Sequence, residues 1–173
     1  EEAPPPPKPR PPPKNELVIV LDGSGAPAVT GPRGGSAGFL PDGTAFNTIQ
    51  GGIDAAYDAG GGEVWVAEGT YGEQRTSIMH DPPVNTGSAV MREGVHLYGG
   101  FIGIGVGGFE TIRNKRDWRA SVTTLDGSGA RGGNAAFHVV AGADNATLDG
   151  FTIIGGVANG DDYYGPRQGA GMN

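Results

Sequence analysis

Apolar and polar positions along this chain change their period once. LVIVLDG (Leu17–Gly23) is a short apolar run closed by an Asp-Gly turn signal, which predicts a strand. In DGTAFNTIQGGIDAAYDAGGG, by contrast, Phe46, Ile49, Ile53 and Ala56 recur at helical spacing, which predicts one amphipathic helix. Asp42 or Thr44 can cap its start, and Gly60–Gly62 end it. Gly51 and Gly52 each cost that helix about 1 kcal/mol relative to Ala, so packing must hold it. Everything later reads as strand and turn. EVWVAEGTY (Glu63–Tyr71) sets Val64, Val66 and Ala67 against Trp65, and GVHLYGGF (Gly94–Phe101) alternates in the same way. TTLDG, AFHVV (Ala136–Val140) and ATLDGFTIIGG follow. Residues 72–93 and 102–121 are irregular, and FETIRNKRDW in the second reads as a surface excursion.

The tetrapeptide TLDG starts at Thr124 and starts again at Thr147. Recurrence at a spacing of about 20–50 residues signals a repeat architecture, here one coil of a parallel β-solenoid. Coils stacked at about 4.8 Å would align equivalent residues in ladders. The expected register sets Leu125 under Leu148 in the interior, Asp126 under Asp149, and Gly127 under Gly150 at successive corners. LDGSGA also recurs, at Leu21 and Leu125; that offset is not a multiple of the TLDG spacing and reads as shared turn chemistry.

Composition sharpens this picture. Glycine supplies 34 of 173 residues without a G-X-Y period, which suits many tight turns and excludes collagen. There is no cysteine, so neither disulfides nor thiolate ligands contribute. The net charge of −7 argues against nucleic acid as a partner, and no apolar run has the length of a transmembrane segment. Residues 1–15, EEAPPPPKPRPPPKN, hold eight of the fourteen prolines and form a first unit, a polyproline spacer reaching roughly 45 Å. Folded structure is expected over 16–173. The opening without Met suits a processed, secreted product.

DGTAFNTIQGGIDAA, EVWVAEGTY, GVHLYGGF, NKRDW, TTLDG and LDGFTIIGGVANG…GAGMN stand in the order seen in bacterial secreted right-handed parallel β-helix proteins of the pectin-lyase-like class. The chain resembles their N-terminal part over about residues 40–173. The resemblance implies an all-β fold, a right-handed parallel β-helix, with one capping α-helix near Asn47–Ala59. It also implies further coils beyond Asn173, so a fragment of a longer protein is expected.

Candidate chemistry is sparse. Asp126 and Asp149, if one coil apart, would lie about 5 Å from each other, a separation suited to Ca²⁺ or to a retaining glycosidase pair. Asp before Gly is also ordinary turn chemistry, the reading preferred here. Arg131 is the one cation placed to reach them. Asp161 and Asp162 offer a second Ca²⁺ candidate, and Tyr163 and Tyr164 beside them a face for a sugar ring. A solvated loop is the reading preferred for all four. His80, His96 and His138 lack metal-ligand spacing, and the alternation points His96 and His138 outward. Trp118 is expected to clamp the excursion, and the sequon Asn145-Ala146-Thr147 reads as a turn. No catalytic residues are assigned, and no cofactor is expected apart from that Ca²⁺.

Three functions fit. The first is an extracellular or bacterial cell-surface structural or adhesive module whose face contacts glycans or other cell-surface polymers. The second is part of a polysaccharide lyase or hydrolase with its active coils beyond Asn173. The third is a filament subunit that self-associates through its C-terminal coil edge.

Overall fold

The computed structural model of this chain describes residues 17–21 (backbone only), 46, 48–79, 84–102 and 113–158. In chain order the elements are β1 (Leu17–Leu21), α1 (Ile49–Asp58), β2 (Gly62–Ala67), β3 (Gly69–Tyr71), β4 (Ile78–Met79), β5 (Val84–Asn85) and β6 (Ala89–Val90). They continue with β7 (Val95–Phe101), a 3₁₀ turn (Arg113–Lys115), β8 (Thr123–Asp126), β9 (Val140–Ala141), β10 (Thr147–Asp149) and β11 (Phe151–Ile154). The proline-rich segment 1–15 lies outside the described residues. Among the described residues the all-β expectation with a single α-helix holds.

Three of the four sheets are purely parallel: β1-β2-β7-β10, β3-β8-β11 and β6-β9. The fourth is the small antiparallel pair β4-β5. From β2 onward the chain visits the three parallel sheets in turn: β2, β3, β6, then β7, β8, β9, then β10 and β11. Each visit adds a strand beside the one laid down before. Interior positions line up accordingly, Val64 with Leu97 and Leu148 on one sheet, Tyr71 with Leu125 and Ile153 on the next. These residues share one core with Ile49, Ile53, Val95, Val139 and Val140.

The register differs from the one that the TLDG spacing predicts. Leu125 pairs with Ile153, and Leu148 pairs with Leu97; the two leucines are not opposite each other. Asp126 is opposite Ile154 and Asp149 opposite Tyr98, so the two TLDG segments lie in different sheets. The phrase encodes a strand followed by a turn, and the turns are not alike. After β8 the Asp126 Oδ1 accepts from the Ser128 N–H at 2.8 Å, an Asx turn. After β10, Gly150 takes φ +79°, where a Cβ would sit 2.7 Å from the Gly99 carbonyl oxygen. Both leucines do point inward: Leu125 is fully buried, and Leu148 packs on the same core from its flank.

The helix is capped one turn later than expected. Thr48, not Asp42 or Thr44, accepts from the Gly51 N–H at 3.1 Å. A Cβ at Gly51 would lie 2.9 Å from the Thr48 hydroxyl, so a larger residue there would have to shift the cap. At the other end Gly61 N–H donates to Ala56 and Gly60 N–H to Tyr57, both at 2.9 Å, a Schellman motif. Ile49, Gly52, Ile53 and Ala56 form the buried face. Gln50 also does a strand's job: its amide accepts from Val90 N–H (2.8 Å) and donates to Val90 C=O (3.2 Å), so it covers the edge of β6.

β2 is buried on both faces, although its pattern alternates. Trp65 faces away from the core yet is only 3% exposed, because Phe101 stacks on it at 4.7 Å and Glu63 accepts from its indole N–H at 2.7 Å. Arg113 pairs with that Glu63. The excursion thus returns across the outside of the β2-β7 sheet. Its backbone at Trp118 rests on Gly100, where a Cβ would fall 2.6 Å from the Trp118 Cα. The Trp118 ring remains half exposed beside Arg119, so main-chain contact and Arg116, not the indole, hold this segment down.

Candidate functional site

The sequence-derived candidates separate in space. Asp126 and Asp149 do not share a rung. The Ser128 backbone N–H and then its hydroxyl, helped by Arg75, hold the Asp126 carboxyl below its ordinary value against a small opposing effect of burial. Asp149 is engaged by Arg116, whose Nη2 lies 2.5 Å from Oδ2 while Nη1 donates to the Gly99 carbonyl at 2.9 Å. Each carboxylate is therefore occupied with turn or clamp chemistry. Among the described residues no group of three or more His, Cys, Asp or Glu is placed to hold a metal. Asp161, Asp162, Tyr163 and Tyr164 lie outside the described residues, as does His80. Arg131 turns back into its own loop, donating to Ala135 C=O at 3.0 Å and covering Phe137 at 3.9 Å.

The histidines divide. His96 is half buried on the outer face, with Nδ1 3.0 Å from the Thr147 hydroxyl of the neighbouring strand. His138 is 1% exposed, not solvated. The expected strand Ala136–Val140 is reduced to β9 at its end, and the preceding bends turn His138 inward. There it joins a buried polar layer unforeseen from sequence. Ser77, Thr86 and Ser88 hydroxyls lie 2.5 and 2.7 Å apart in series, and Ser88 donates to the His138 carbonyl at 2.7 Å.

Arg75 anchors the other flank of this layer. Its side chain is 2% exposed, Nε donates to Gly87 C=O at 3.1 Å, and Nη2 donates to Asp126 C=O at 2.8 Å. Glu73 stands 3.6 Å from Nη1 and also accepts from the Ile49 N–H at the start of α1. Burial pulls the guanidinium below its usual value, while the charges of Glu73 and Asp126 pull it back. This ties the β3–β4 and β5–β6 connections to the end of β8 and is inaccessible to a ligand.

The arrangement that is open to solvent lies at the corner where strands of the β2-β7-β10 sheet begin. Three successive turns stack there: Gly61 at φ +100°, Gly94 at +74° and Asn145 at +51°. Backbone bonds join them, Gly62 N–H to Gly94 C=O at 3.0 Å and Gly94 N–H to Asn145 C=O at 3.2 Å. Asn145 is the one non-glycine residue in the left-handed region among the described residues, a conformation its short amide tolerates. The turn reading of the sequon is thereby met. Beside this corner is a cleft of about 490 Å³ lined by Tyr57, Asp58, Gly60, Glu93, Gly94 and Asn145. Tyr57 is 48% exposed, and the Arg92 guanidinium lies 5.6 Å from its ring centre. Asp54 pins Arg92 at 3.1 Å. Sequence reading missed the cleft because Tyr57 and Asp58 look like a solvated helix end, and only the stacking of turns brings Glu93 and Asn145 beside them.

No protein-family model, curated protein or solved structure matches the chain. No helix among the described residues is long and apolar enough to cross a membrane.

Proposed function

We propose that this chain is a parallel β-solenoid of the pectin-lyase-like kind acting as a secreted or surface-displayed structural module that contacts glycans along its side. The observation that carries the reading is the cyclic return of the chain to three parallel sheets, each strand laid in register beside its predecessor. Such stacking gives an elongated scaffold whose turns recur at fixed corners, a geometry suited to repetitive polymers. The polar residues that converge inside are consumed in ties between rungs, and those at the corner are exposed. That division favours display over catalysis.

The test is to immobilise the chain and pass neutral, acidic and amino polysaccharides over it, assaying eluates for new reducing ends and unsaturated products. Retention of a polysaccharide without cleavage is the expected result. Cleavage would replace the module by a lyase or hydrolase, and retention of none would remove glycan contact from the reading. A second reading, self-assembly, draws on β9, β10 and β11, each of which has a strand partner on one side only among the described residues. Sedimentation velocity over a wide concentration range tests it, with concentration-dependent growth as its signature.

A further inference from the structure

We infer that the corner cleft bounded by Tyr57, Asp58, Glu93 and Asn145 is a binding site for a hexopyranose unit of a glycan that carries no carboxylate. The inference rests on the glycan-contacting reading above and names the place and the sugar class.

Its volume, about 490 Å³, lies within the range that small-ligand sites occupy and would take one or two sugar rings. Four side chains of complementary chemistry line it. Tyr57 offers an exposed aromatic face to the apolar C–H side of a pyranose, and the Asp54–Arg92 pair beside its ring limits how that ring can turn. Asp58 and Glu93 bring carboxylate acceptors from two different turns, suited to sugar hydroxyls that donate. Asn145 supplies an amide that both donates and accepts.

The frame that presents them is stiff. The Schellman motif fixes the chain after Tyr57 and Asp58, and the bonds from Gly62 to Gly94 and from Gly94 to Asn145 lock the three turns together. A site held by backbone bonds loses little freedom on binding.

Charge selects among sugars. Asp58, Glu93 and the negative end of α1 all face one region, so a uronate would bring a third carboxylate into a field already negative. The same field would attract a cationic amino sugar, so charge discriminates against uronates alone. A ring without a carboxylate meets no such repulsion.

The test is NMR titration of the ¹⁵N-labelled full chain with neutral trisaccharides (maltotriose, cellotriose, mannotriose), tri-galacturonate and tri-glucosamine. The Asn145 side-chain amide and the Gly94 N–H serve as reporters. Saturable shifts with at least one neutral trisaccharide or with tri-glucosamine, and none with tri-galacturonate, are expected. Tyr57→Ala and Glu93→Gln should each weaken binding roughly tenfold while far-UV circular dichroism stays unchanged. Glu93→Gln keeps the size of the exposed side chain and serves if Tyr57→Ala does not fold. No response to any neutral sugar or to tri-glucosamine, a response to tri-galacturonate, or binding unaltered in both variants would overturn the inference. If the immobilised chain still retains a polysaccharide while the cleft variants bind as the parent does, the site is wrong and the module reading stands. If it retains none, glycan contact leaves the module reading and the site falls with it.

Discussion

Arg75 gives the sharpest test of how the rungs are held together. Its guanidinium donates to the carbonyls of Gly87 and Asp126, both distant from it in sequence, and its side chain is 2% exposed. In Arg75→Met the aliphatic stem is largely kept, but the buried Gly87 carbonyl and the part-buried Asp126 carbonyl each lose a charge-assisted donor. A buried acceptor left without a partner costs about 1–3 kcal/mol, and a part-buried one less because water can reach it. Relief of guanidinium desolvation recovers a part, leaving a net loss of about 2 kcal/mol. The apolar replacement cannot escape this cost, because the partners are main-chain carbonyls that no mutation deletes. A domain of this size has about 5–15 kcal/mol in total, so the loss is large. Urea unfolding followed by Trp65 emission measures it, with the midpoint falling and the slope unchanged. Gln74→Ala is the control. Gln74 makes a bond of 2.7 Å to Gly129, but at the exposed surface, and its loss should stay within about 0.5 kcal/mol. An Arg75→Met protein within about 0.5 kcal/mol of the parent would refute the reasoning that this residue ties the rungs.

Three further outcomes follow from the same contacts. Asp126 is held below its ordinary value of 3.8, so its contribution is present above that pH and lost as pH falls through the lower folded value. The thermal-midpoint advantage of the parent over Asp126→Asn should therefore shrink in an acid titration below about pH 4, and an advantage that grew as the pH fell would contradict this. Asn145→Ala should cost about 1 kcal/mol because φ is +51°, while Asn145→Gly should be neutral or stabilising; chemical denaturation of both decides it. Trp118 is 50% exposed and Trp65 only 3%, so acrylamide should quench one emission class readily, and Trp118→Phe should abolish that class.

Some of this molecule was legible in its sequence. The helix at Ile49–Asp58, the inward leucines Leu125 and Leu148 and the strand-rich remainder all follow from periodicity, which reports local geometry directly. Register did not follow, because TLDG records a strand-then-turn conformation and says nothing about which sheet that strand joins. Rungs here differ in length: the step from Ala89 to its partner Val140 is much longer than the step from Thr123 to its partner Phe151, so no single period exists to be read. Buried polar residues were equally hidden. Arg75, Ser77, Thr86 and Ser88 look like solvated loop residues, and His138 like the outer face of a strand, until long-range pairing encloses them. The cleft depends on the turns at Gly61, Gly94 and Asn145, far apart in sequence, coming into contact, a property of the stack and not of any one segment.

The parallel register is the central claim, and the absence of cysteine gives a clean background for testing it. Thr124 and Thr152 are direct neighbours across β8 and β11, whereas Thr124 and Thr147 are equivalent only in the TLDG repeat. Neighbouring parallel strands are about 4.8 Å apart, within the Cα range that a disulfide spans. Thr124→Cys/Thr152→Cys and Thr124→Cys/Thr147→Cys should be oxidised in parallel and their intramolecular cross-link measured by mass after thiol labelling. A cross-link in the first pair and free thiols in the second is the expected result; the reverse would restore the coil that the TLDG repeat suggests and contradict the register described here.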